Sequence, residues 1–165
     1  MKKLSVSVFA LMSSTLTWSG IYEDFKKDFP TYSEEKKQTV INNVKKLGWT
    51  PTGKDQQQAK TTYLNYEYIY PIGPSTVGVW EKQVVNIDLE KDSLSVNDFQ
   101  MVKSIYYCDK RKQRLVSITN YDHKTGKSSK SADFKDMDVY TDILPDTVGN
   151  TVMQYACALN VLKSY

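Results

Sequence analysis

A cysteine followed by a run of cations is a candidate nucleophile. The stretch "YYCDKRKQR" provides one, with Cys108 preceding Lys110, Arg111, Lys112 and Arg114. Positive neighbours favour the thiolate over the thiol, and the thiolate is the reactive form. The same four cations could also anchor acidic or sulfated molecules, or form the solvated tip of a turn. Which chemistry is open depends first on whether the thiol is free.

The N-terminus bears on that question. "MKKLSVSVFALMSSTLTWSG" opens with Lys2 and Lys3, continues uncharged from Leu4 to Trp18 and ends in small residues. This is the layout of a secretory signal peptide over residues 1–19, with cleavage before Gly20. The stretch is short and rich in Ser and Thr for a membrane span. No cysteine stands at its end for lipid attachment, so an exported chain in the periplasm, at the cell surface or secreted is expected. In an oxidising compartment cysteines pair. The chain has two, Cys108 and Cys157, so a structural disulfide is favoured over a reactive thiol. A bridge closing a loop of about 50 residues stabilises a fold by roughly 4 kcal/mol in the chain-entropy model.

The 22 basic and 19 acidic residues give a net charge of +3, and two of the lysines belong to the leader. A nearly neutral chain does not bind nucleic acid as a whole-molecule property; attraction to anions has to come from a local patch. His123, the only histidine, lies in the polar stretch "YDHKTGK". It reads as an exposed loop side chain, since no nucleophile or orienting partner is recognisable beside it. Asp133, Asp136, Asp138 and Asp142 raise the question of a cation site. Asp136 and Asp138 would share one face of a strand, but the calcium-loop pattern is missing and a solvated face is the better reading. Phosphate-binding glycine loops and zinc-type Cys/His spacings do not occur. No catalytic residue, metal ligand or cofactor site is therefore assigned.

The elements that would position these residues follow from periodicity. "TYSEEKKQTVINNVKKLGW" predicts a helix, with Thr31 and Glu34 as a capping box and Val40, Ile41, Val44 and Leu47 on one face. Gly48 ends it, and Trp49 is placed to pack back toward Val44. From there the period becomes two. "KTTYLNYEYIYPIG" reads as one strand with Leu64, Tyr66, Tyr68 and Tyr70 on its more buried side. "STVGVWEKQVVNI" packs through Val77, Val79 and Trp80. "FQMVKSIYYC" and "RLVSITNYD" form a hairpin whose loop is "DKRKQ". The polar loop "HKTGKSSKS" then leads to a last strand, "KDMDVYTDI". "DTVGNTVMQYACALNVL" predicts a helix capped by Asp146 or Thr147, with Val148, Val152, Tyr155, Ala156 and Leu159 as its apolar stripe and Cys157 beside it. The fold expected is α+β: an antiparallel sheet of about six strands, a C-terminal helix packed on it and tied by the disulfide, and an N-terminal helix. The division is a leader at 1–19, a helical segment at 20–48 and a domain at 49–165.

The order of "LGW", "TTYLNYEYI", "VGVWEK", "SIYYCDKRKQRLVSITNYD" and "YTDILPDTVGNTVMQYAC" resembles the bacterial surface-adhesin protein E family, over about residues 47–157. The resemblance implies a six-stranded antiparallel sheet with a disulfide-tied C-terminal helix. It also implies surface adhesins of Gram-negative pathogens that bind host extracellular-matrix proteins and plasminogen. The expectation is therefore a noncatalytic binding protein with a protein partner, in which Lys110, Arg111, Lys112 and Arg114 contact the ligand. The excess of tyrosine, 12 in all, could supply further contact surface. Two successive basic loops, 110–114 and 124–130, should lie at opposite ends of the sheet and stay separate. The competing reading is a periplasmic interaction protein of the immunity or inhibitor type, and an enzyme ranks third. Self-association as a homodimer is left open.

Overall fold

The computed structural model describes residues 20–55, 57–88, 94–137 and 139–165, so the expected leader lies outside the described residues. Helix α1 (Ile21–Asp28) carries Glu23 and Asp24 in its first turn and Lys26 and Lys27 in its last, the order that suits the helix dipole. A 3-10 turn over Phe29–Thr31 follows, with Pro30 inside it. That turn moves the start of the next helix. In α2 (Glu34–Lys46) the cap is Ser33, whose hydroxyl accepts from the Lys36 N–H at 3.3 Å. Thr31, the expected cap, instead donates its hydroxyl to the Asp28 carbonyl at 2.7 Å. Gly48 follows α2 in the left-handed region at φ 60°, as a helix end favours. Trp49 turns its ring onto Tyr68, with centroids 4.9 Å apart, where the sequence suggested Val44.

The strands are β1 (Thr50–Lys54), β2 (Lys60–Leu64), β3 (Ile69–Gly73), β4 (Thr76–Val85), β5 (Phe99–Tyr107), β6 (Lys112–Tyr121), β7 (Ser128–Asp133) and β8 (Tyr140–Asp142). They form one eight-stranded sheet in the order β1-β2-β4-β5-β6-β7, with β3 also paired to β4 and β8 to β6. Every pairing is antiparallel. The sheet has six positions across, because β2 and β3 share one neighbour, and so do β7 and β8.

The stretch expected as a single strand from Lys60 to Gly73 is thus two strands, separated by a 3-10 turn at Tyr66–Tyr68. Lys60 pairs with Val85 and Tyr63 with Lys82, but Ile69 pairs with Val79 and Tyr70 with Gly78. The turn inserts an odd number of residues, which inverts the alternation of side chains. Leu64, Tyr66 and Ile69 are buried, whereas Tyr68 is exposed and Tyr70 only partly covered. The expected common face of Leu64, Tyr66, Tyr68 and Tyr70 does not exist.

Three other boundaries differ. The loop "DKRKQ" shrinks to a 3-10 turn at Cys108–Lys110 closed by Arg111 at φ 51°, so Lys112 and Arg114 lie in β6. The supposed loop "HKTGKSSKS" contains the start of β7, a strand exposed throughout that pairs with the edge of β6. With almost no apolar residue, β7 has no hydrophobic period to read. The final strand is reduced to β8, which leaves Asp136 in the turn after β7 and Asp138 outside the described residues.

Helix α3 (Val148–Lys163) starts at Thr147, whose hydroxyl accepts from the Asn150 N–H at 3.2 Å. It packs Val152, Met153, Ala156 and Cys157 against Leu64, Ile69, Val77, Val79 and Tyr106. Its far end joins Phe29, Ile41 and Tyr66 through Leu162. The disulfide joins Cys108 to Cys157 across a sequence separation of 49. Glu81 is also on the covered face of β4, where the Tyr106 hydroxyl donates to it at 2.7 Å and burial pushes its carboxyl pKa up.

At the opposite end of the sheet, Asp98 accepts from the backbone N–H groups of His123 and Ser95 at 3.0 and 2.9 Å and bonds His123 Nδ1 at 2.8 Å. His123 is therefore more than a solvated loop side chain. It ties the β6–β7 turn to the segment before β5.

Two predictions follow from these ties. Replacing both cysteines by alanine should lower the unfolding free energy by about 4 kcal/mol, read from denaturant unfolding; a loss under about 1 kcal/mol would mean that the helix docks without the bond. The hydrogen bonds from His123 hold the Asp98 carboxyl at about 2, below its ordinary 3.8. A carboxyl depressed in the folded state stabilises above its unfolded pKa and loses that contribution as pH falls through the folded value. Acid titration of stability should thus show a component lost between about pH 4 and 2 that is absent in Asp98→Asn; an unchanged acid profile in that variant would contradict the assignment.

Candidate functional site

Strand β5 shows how the sheet divides its side chains. Val102, Ser104 and Tyr106 are buried beneath α3 or its neighbours, while Phe99, Met101, Lys103, Ile105 and Tyr107 are partly exposed on the other face. The register carries this division across the sheet. Trp80 lies opposite Lys103, Lys82 opposite Met101, and Gly78 opposite Ile105. On β6, Arg114 lies opposite Ile105 and Tyr121 opposite Phe99. Among the described residues, no helix packs on this face.

The face is a sheet of aromatic rings with cations between them. Lys103 Nζ lies 5.9 Å from the Tyr70 ring centroid and 5.6 Å from that of Trp80. Lys82 Nζ lies 4.4 Å from the Phe99 centroid, and Phe99 stacks on Tyr121 at 5.0 Å. Tyr107 meets Tyr140 edge to face at 5.5 Å. Such cation–ring contacts hold long lysine chains in place at a gain of about 0.5–1 kcal/mol each when exposed. On β4, β5 and β6 the open face carries no carboxylate. Two stand at its rim, where Asp142 pairs with Lys112 and Asp133 with Lys135, each at 3.6 Å.

Glycine makes part of this surface. A Cβ at position 78 would stand 2.9 Å from Tyr70 Cδ2 and 3.3 Å from Ile72 Cδ1. Tyr70 and Ile72 lie across the bare backbone of β4, which places the Tyr70 ring beside Lys103.

The four cations singled out in the sequence do not form one cluster. Lys110 is exposed at the hairpin turn. Arg111 turns toward α3 and donates from Nη2 to the Asn150 side-chain oxygen at 2.9 Å. Lys112 pairs with Asp142, and Arg114 is opposite Tyr140 on the open face. The turn itself is held down: Asp109 accepts from the Tyr22 hydroxyl at 3.2 Å and from Lys26 at 3.1 Å, and Cys108 is in the disulfide. An oxidised cysteine has no thiolate to activate, so the basic residues do not serve a nucleophile. The second basic stretch begins at the other end of β6, as expected.

Two concavities lie elsewhere. An apolar one of about 50 Å³ is enclosed by Phe25, Val44, Leu47, Tyr155 and Leu159 between the helices and β1. A shallower one of about 340 Å³ runs between β1 and the start of α3, past Lys54, Asp146 and Asn150. Among the described residues, no group of three or more His, Cys, Asp or Glu is placed to hold a metal ion.

The sequence reading missed Tyr70, Lys82 and Lys103 as surface residues and took Trp80 for packing alone. A signal was present: Cys108 must face the helix, so positions of the same parity on β5 face it too, and the opposite parity gives Phe99, Met101, Lys103, Ile105 and Tyr107.

Gly78→Ala should lower stability by about 1 kcal/mol through crowding of Tyr70, although alanine is otherwise the better strand residue. In a Tyr70→Ala background most of that loss should vanish, measured as a double-mutant cycle; an equal loss in both backgrounds would show that Tyr70 is not the constraint.

A helix of the described residues long and apolar enough to cross a membrane is absent. Neither the curated proteins nor the solved structures contain a match to the chain. The family model described as surface-adhesin protein E matches residues 49–158, which begin at Trp49 before β1 and run into α3. A family of surface adhesins implies a binding protein that is exported or at the surface, with a protein as partner. By that match, and by its antiparallel sheet with a disulfide-tied C-terminal helix, the chain belongs to the surface-adhesin protein E family.

Proposed function

We propose that this chain is an exported, noncatalytic adhesin domain that binds a host extracellular-matrix protein or plasminogen. The observation that carries the reading is the rigidity of the β5–β6 turn. The disulfide, the Asp109 contacts with α1 and the Arg111–Asn150 bond fix its backbone, and Lys110 projects from it. A docked turn loses little conformational entropy on binding, which favours affinity without many contacts. Lys110, Lys112 and Arg114 supply positive charge for an acidic patch on the partner. Arg111, the fourth cation, acts through α3 by positioning the turn.

Purified protein should bind laminin or plasminogen with an affinity that falls as salt rises. The triple variant Lys110→Ala, Lys112→Ala, Arg114→Ala should weaken binding about tenfold, given up to about 1 kcal/mol for each exposed pair. Surface plasmon resonance against a panel of matrix proteins measures this, and absence of binding at micromolar concentration across the panel would refute the host-adhesin reading.

A further inference from the structure

The open face begins where the basic turn ends: Lys112 and Arg114 already lie on β6, whereas Lys110 belongs to the turn. The turn presents charge on a fixed backbone, whereas the face presents rings with ammonium groups set among them. Lys103 lies between Tyr70 and Trp80, and Lys82 lies over Phe99. Since Trp80 is directly opposite Lys103, Lys82 and Lys103 are diagonal neighbours, about 7–8 Å apart by sheet geometry.

We propose that this face binds an anionic polysaccharide, with Trp80 and Tyr70 stacking on sugar rings and Lys82 and Lys103 pairing with their carboxylate or sulfate groups. Three observations favour this partner over other macromolecules. The centre of a protein–protein interface is depleted in lysine, because an ammonium removed from water needs a partner to offset its desolvation. Here lysines occupy the centre. A hydrated glycan leaves them partly wet and brings its anions in register with sugar rings whose C–H faces suit the aromatic surface. The carboxylates of the open face stand at its rim, Asp133 and Asp142, each beside a lysine, so none competes with an anion at the centre. A nucleic-acid strand has a phosphate on every residue and demands a broader basic track. The whole chain carries a net charge of only +3.

This site is independent of the matrix-protein reading and is tested separately. A heparin-derived oligosaccharide of defined length, labelled for fluorescence anisotropy, should bind the purified protein and release as salt rises. Lys103→Gln and Trp80→Ala should each weaken binding about tenfold, while Lys110→Ala at the turn leaves it unchanged. Lys103→Gln keeps a side chain of similar length on a partly exposed position, so it remains informative even if Trp80→Ala fails to fold. No binding, binding indifferent to Lys103→Gln, or equal affinity for polyglutamate or a single-stranded oligonucleotide would overturn the proposal. Loss of matrix-protein binding in Lys110→Ala with oligosaccharide binding intact would separate the two surfaces.

Discussion

The bond between Cys108 and Cys157 decides which side of the sheet becomes core. Cys108 follows β5 directly and Cys157 sits in the middle of α3. Once they are joined, the helix can cover only the face of β5 that Cys108 shares with Tyr106 and Ser104. The neighbouring strands obey the same division through their register. Val77 and Val79 face the helix, and Gly78 and Trp80 face away. One covalent tie thus fixes the core and, by exclusion, the open face.

Around that bond the polar contacts between layers are arranged as supports. Arg111 reaches Asn150, Asp109 receives Tyr22 and Lys26, and the Tyr22 N–H donates to the Gln154 side chain at 2.8 Å. Asn150 and Gln154 are buried on α3, and a buried amide without a partner costs about 1–3 kcal/mol. These amides are tolerated because the turn and α1 supply their partners. The basic turn looked in sequence like a free, solvated tip. It is instead the place where the sheet, α1 and α3 are joined, which leaves Lys110 as its most exposed cation.

Much of this was legible. Gly48 marks a helix end, Thr147, one of the two caps considered, starts α3 two residues after Pro145, and the only two cysteines pair. What escaped the sequence has a common cause: a local pattern cannot state which face a neighbour will cover. Tyrosine suits either environment, so "YLNYEYIY" alternates equally well in two phases, and only the structure shows the turn at Tyr66–Tyr68 that switches between them. Strand β7 exists because the edge of β6 has unpaired backbone groups, a cause absent from "SSKSAD" itself. The open face was missed because its lysines and aromatics are scattered over five strands, and only the register brings them together.

Strand β4 shows why that register must be held. Its sequence places Glu81 between Trp80 and Lys82. A slip by one residue would turn the tryptophan and the lysine into the core and release the glutamate to water. Val77 and Val79, both fully buried, resist this by their burial, whereas Val84 and Val85 exchange faces at little cost. Glu81 resists it specifically, because Tyr106 sits four pairs along the ladder on the same face and its hydroxyl reaches the carboxyl in the observed register. Burial raises the Glu81 pKa, and the Tyr106 hydroxyl supplies the hydrogen bond that the buried carboxyl needs. The least expected polar group beneath the helix is therefore a determinant of what stands on the opposite face, where Trp80 and Lys82 are held outward.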